Sequence, residues 1–209
     1  MVKLSRRDFI ELTGAGAAVL GMGVVECVCA VDKTDKKEPG MERKIDVRHV
    51  SMTINIDFES FTKTLEQCLV RFESSLLEGL DTDPGAVKER IKKAAGGEDL
   101  MLFAVRDHGK LLNVLGSPQK AKQYVLGNPL IAATMTRHDI RAGLYAPLRL
   151  LVYGADDQST RIEFDRPSSL FEQFDNPDIM TVAQYLDTKL LNLISKTELL
   201  VKESPPDRR

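Results

Sequence analysis

The chain has 209 residues, of which 29 are basic and 31 acidic, so its formal charge is −2 and its pI about 6.0. A hydrophobic share of 43% excludes a disordered or fibrous protein and is enough for one cored domain. The balanced charge gives no electrostatic footprint for nucleic acid, and with no tryptophan and 6% aromatics there is no base-stacking face.

Residues 1–30 read as a targeting segment. Lys3, Arg6 and Arg7 form a basic start, and a Gly/Ala-rich apolar run follows from Leu12 to Val25. Ser5-Arg6-Arg7-Asp8-Phe9-Ile10 resembles the twin-arginine export signal, although Glu11 stands where that signal often has Lys. Val28 and Ala30 fit a small-residue cleavage rule, with cleavage after Ala30. The reading therefore expects the twin-arginine export machinery as a partner, an exported or periplasmic protein, and contact with the membrane only during export. Two alternatives stand beside it: lipidation at Cys27, which Glu26 disfavours, and anchoring by the apolar run, which is short against the roughly 20 residues of a span. Cys68 is the one cysteine left after cleavage, so the domain relies on its core rather than on a disulfide.

Residues 31–48 form a polar linker. A single domain is expected over 49–200, with a disordered tail over 201–209. Val50, Met52, Ile54 and Ile56 alternate with polar residues as a half-buried strand. Asp57 caps a helix whose apolar stripe runs Phe61, Leu65, Cys68, Leu69, Phe72 and Leu76 and stops near Gly79. Cys68 in that stripe reads as a structural thiol. Asp83-Pro84 opens a charged helix to about Ala95. Leu100 to Val105 reads as a central strand, followed by a turn at Asp107-His108-Gly109. Lys110 to Leu115 fits either a helical turn or a strand.

Tyr124 to Leu126 form a strand, and Gly127 ends it. Asn128 is a preferred N-cap and Pro129 suits the first helical position, so a helix begins there and is expected to run to Gly143. Strand composition resumes at Leu144 and continues to Tyr153. Residues 155–159 form a hairpin loop, and Ile162 and Phe164 alternate with polar neighbours in the antiparallel partner. Pro147 belongs at the start of its strand or on an edge. Helices open at Pro167 and, after Asn176, at Pro177. The pattern predicts an α+β fold: a two-layer, mostly antiparallel sheet of about four to five strands with helices packed on one face.

At Gly127-Asn128-Pro129, Leu144-Tyr145-Ala146-Pro147-Leu148-Arg149, Asp107-His108-Gly109 and Phe164-Asp165-Arg166-Pro167-Ser168-Ser169 the chain resembles the family called domain of unknown function 302. The resemblance is best from about Leu100 to Ile194 and weaker from Val50. It implies a compact two-layer α+β domain that pairs into homodimers, and it implies no activity and no catalytic residue. The segment Pro84–Ala95 reads as a departure from the minimal family domain.

No Ser-His-Asp pattern, paired-carboxylate signature or Gly-rich phosphate loop is present. No motif fixes a cofactor or a metal. The expected function is a non-enzymatic small-ligand-binding or accessory domain. One alternative is an enzyme using His108 or His138 as acid/base, each with an adjacent Asp107 or Asp139. Another is a metal- or haem-handling protein, suggested by the export route. Ligand-binding residues are expected at Asn128, at the start of its helix, with His108 and Arg149 at the rim of a shared pocket and His138 further along.

Overall fold

The structure, a computed structural model, describes residues 42–203 apart from Gly96, Glu98 and Asp157. The expected signal at Arg6, Arg7 and Ala30, the lipidation alternative at Cys27 and residues 204–209 lie outside the described residues. A compact unit begins at Arg43.

Six strands form one sheet: β1 (His49–Ile54), β2 (Val70–Arg71), β3 (Met101–Asp107), β4 (Ala121–Gly127), β5 (Leu148–Gly154) and β6 (Thr160–Asp165). Their order is β1-β6-β5-β4-β3-β2. Every pairing is antiparallel except β2 with β3, which is parallel. The architecture is α+β as expected, with six strands in place of four to five. The additional strand is β2, which sits inside the apolar stripe that reads as a continuous helix. Asp57 does cap that helix, α1 (Phe58–Gln67), by accepting the Ser60 N–H at 3.0 Å. The helix stops at Gln67, because the β-formers that follow find a strand partner: Val70 and Arg71 register with Met101 and Leu102, and the Phe72 N–H donates to the Leu102 carbonyl. Phe72 then stacks on Phe103 at 4.6 Å between ring centres. Phe103 is free to do so because a bulge between Leu102 and Ala104 takes it out of the ladder. β3 is therefore one strand in from the short edge.

α2 (Pro84–Ala95) begins where Asp83 accepts the Ala86 N–H. The ambiguous segment 110–115 is helical: one turn, α3 (His108–Leu111), followed by a 3-10 turn over Leu112–Leu115. α4 (Pro129–Thr136) is shorter than expected. Asp139 ends it by adopting an extended conformation and accepting the Arg141 N–H, which starts a separate 3-10 segment, Ile140–Tyr145. Leu144 and Tyr145 are thus helical rather than strand. β5 begins after Pro147, which has a cis peptide bond with Ala146. α5 (Pro167–Phe171) and α6 (Pro177–Glu203) are the last elements among the described residues.

The core joins Phe61 and Leu65 of α1 to Leu102, Tyr124, Leu126, Leu148, Leu150, Val152, Ile162 and Phe164 of the sheet. From α6 it takes Ile179, Ala183, Leu186, Leu190, Leu193 and Ile194, a stripe at helical spacing. Strand alternation explains why Leu148, Leu150 and Val152 are buried while Arg149 between them is exposed. Cys68 packs against this core, half-buried, as the C-cap of α1. Tyr124 is fully buried, and its hydroxyl donates to Glu66 at 2.9 Å. Burial, and then that carboxylate, push the phenol pKa well up. Val87, Ile91 and Ala95 of α2 and Met101 are also buried, outside the main cluster.

Candidate functional site

α4 has an unusual balance. Its sequence PLIAATMT has no charged residue, yet Met135 alone is buried. An apolar helix of this kind ordinarily hides most of its surface. Here Leu130, Ile131, Ala133 and Thr134 instead line a groove of about 520 Å³, with Asn128 at one end of the stripe and Arg137 at the other. Lys88 and Lys92 of α2, Asp99 before β3 and Tyr185 of α6 complete the walls. The volume is that of a small-molecule site.

The walls are braced. Asp99 holds a left-handed backbone (φ 55°) and joins the α2–β3 loop to α6. Its carboxylate accepts a short hydrogen bond from the Tyr185 hydroxyl and pairs with Lys189 at 3.5 Å, while Lys189 also donates to the Gly97 carbonyl. Burial, and then the bond to Asp99, raise the Tyr185 pKa. Lys92 pairs with Glu89 at 2.7 Å, and Arg137 Nε donates to His138 Nε2 at 3.0 Å.

Asn128, His108 and Arg149, expected around one pocket with His138 further along, do not share one. Asn128 lines the groove, but its carboxamide oxygen turns back to accept the Leu130 N–H at 2.9 Å. That self-capping, with Pro129 next, leaves little of the helix start for an anion. Arg149 is exposed and lines a separate cleft of about 30 Å³ with Tyr145, Pro147 and Asp165. His108 is exposed at the start of α3. The register Met101↔Gly127 and Asp107↔Lys122 places it at the opposite end of the β3–β4 pair from Asn128, roughly 20 Å along the strands. His138 follows α4, accepts from Arg137, and approaches Asp178 at 3.8 Å. The adjacent acids are engaged locally: Asp107 accepts the Lys110 N–H and Asp139 is clamped by Arg141. Among the described residues no three His, Cys, Asp or Glu side chains stand close enough to hold a metal ion.

The residues that do build the groove, Lys88, Lys92, Asp99, Arg137 and Tyr185, were not singled out by sequence. The legible signal was the uncharged run of α4, too apolar for a helix that covers so little core. Lys88 and Lys92, four apart on α2, are a second signal, visible only once α2 is placed beside α4.

A family model described as "Domain of unknown function DUF302" matches residues 79–197. That span includes α2, so Pro84–Ala95 is part of the family domain rather than a departure from it. A crystal structure titled as an uncharacterized conserved protein DUF302 from Bacillus stearothermophilus shares 16% identity. It covers 71% of this chain and 97% of its own, with a TM-score of 0.51, a likeness of fold. A comparison with curated proteins finds no match.

Proposed function

Because this chain belongs to the DUF302 family, whose description assigns no activity, we propose its function from its own groove: a non-enzymatic domain that binds a small, largely apolar molecule along α4. The observation that carries this reading is an uncharged helix whose free side walls a cavity of about 520 Å³ instead of packing into the core. A site of that size with Leu130, Ile131 and Ala133 in its lining gains from each apolar group taken out of water. The acid/base alternative at His108 or His138 draws no support from the groove, since neither residue lines it.

The test uses the neutral dye Nile red. The wild-type protein should bind it with one-to-one stoichiometry. Ala133→Phe, on the exposed side of α4, should fill the groove and weaken binding at least about tenfold, a loss of roughly 1.4 kcal/mol, without lowering the melting temperature. Dye binding unchanged by Ala133→Phe would sink the reading.

We also infer, as supporting context, an exported protein carried by the twin-arginine machinery through Arg6 and Arg7, cleaved after Ala30, and a homodimer in solution. The alternation of buried and exposed residues on β5 and β6 favours a two-layer arrangement with helices on one face.

A further inference from the structure

We propose that the ligand of the α4 groove is an amphiphilic carboxylate, an unbranched apolar chain ending in a single negative charge; this rests on the groove being a binding site. The walls bring three cations, Lys88, Lys92 and Arg137, to a groove whose floor is Leu130, Ile131 and Ala133. The one carboxylate among the described lining residues, Asp99, is already committed to Lys189 and the Tyr185 hydroxyl. Lys88 has no ion pair among the described residues. The Lys92 partner, Glu89, forms an exposed pair that holds it weakly. Arg137 spends one of its five N–H donors on His138. The site therefore carries an excess of positive charge beside an apolar surface, the complement of a molecule with one anionic end.

The helix start adds little to this charge. A backbone cradle for an anion uses several free N–H groups there. Here Pro129 has none and Asn128 has taken that of Leu130. Side-chain ammonium and guanidinium groups on two helices suit a carboxylate at the end of a chain. The lining stripe of α4 runs from Asn128 to Arg137, about 14 Å at 1.5 Å per residue, long enough to hold an extended chain of about ten carbons.

Three probes of equal chain length separate this from the broader reading: decanoate, decanol and decylammonium, each below its aggregation concentration, competing with bound Nile red. Decanoate should displace the dye at a concentration at least about tenfold lower than decanol, and decylammonium should be the weakest. Raising the salt should narrow the gap. In Lys88→Gln with Lys92→Gln, both exposed on α2, the advantage of decanoate over decanol should shrink at least about threefold, with Arg137 keeping the remainder. Equal displacement by all three, or a decanoate preference undiminished by the double substitution, overturns the carboxylate and leaves the groove standing. Dye binding that none of the three displaces, and that Ala133→Phe leaves intact, overturns both.

Discussion

His49 is the histidine with the most telling surroundings, though the sequence offers no reason to choose it over His108 or His138. It stands at the start of β1, opposite Asp165 in register. Its Nδ1 lies 3.0 Å from Asp165 and its Nε2 3.1 Å from Glu163. Glu163 in turn accepts from the Tyr153 hydroxyl at 2.6 Å and from Ser51. Asp165 first, then Glu163, raise the His49 pKa above its ordinary 6.5. A histidine whose folded pKa is raised adds stability that is full below the unfolded value and disappears as pH rises through the folded one. Wild type should therefore exceed His49→Gln in denaturant midpoint most clearly between about pH 5 and 6.5, where the carboxylates are still charged. The gap should close as pH rises further. A gap that widens with pH would show that the imidazolium is not what joins β1 to β6. Gly109 is another residue whose reason lies in the fold: a Cβ there would come within 2.0 Å of the Gln119 carbonyl oxygen. The sequence supports a turn at Asp107-His108-Gly109, and the close backbone approach explains the glycine.

At the scale of elements, helix starts were the most legible feature. Asp57, Asp83, Asn128 and Asn176 all cap by accepting a backbone N–H from the helix they open. These are local events, written in four adjacent residues. Helix ends were less legible, because α1 and α4 stop for reasons lying elsewhere: a parallel partner for Val70 and a new cap at Asp139. α5 shows the non-local case from its other end. Its start is capped by Asp187 of α6, nineteen positions on, whose buried carboxylate accepts the Ser168 N–H at 2.9 Å and pairs with Arg166 at 3.8 Å. Asp187→Ala leaves that N–H and a half-buried guanidinium without their acceptor. The expected loss is about 2–3 kcal/mol in urea unfolding, with Asp187→Asn recovering part of it through the remaining carbonyl oxygen. If both variants unfold with wild type, the cap is not a stabilising contact.

At the scale of the molecule, the sequence supports the α+β class and locates one corner of the groove, Asn128. It could not locate the cavity, because Lys88 and Tyr185 stand on helices far apart in the chain and meet only across α4. Nor could it exclude His108 and Arg149, since the antiparallel register that carries His108 to the far end of the sheet is a property of pairing and not of either strand alone. The proposed export and assembly belong to this scale too. Arg6→Lys with Arg7→Lys should leave the full-length precursor inside the cell on fractionation, and the mature protein should sediment at twice its monomer mass. Normal export of the double variant would rule out the twin-arginine route, and a monomeric boundary at micromolar concentration would rule out the dimer.

The pairing of β1 with β6 joins residues 116 positions apart. During synthesis, Val50, Met52 and Ile54 leave the ribosome long before Phe164 and Ile162, their neighbours in the finished sheet, have been made. The first strand of the domain therefore has no β6 partner until more than a hundred further residues have been made, and the loop to be closed is long. If the chain leaves by the proposed route, which accepts folded proteins only, the joining of β1 to β6 has to precede passage.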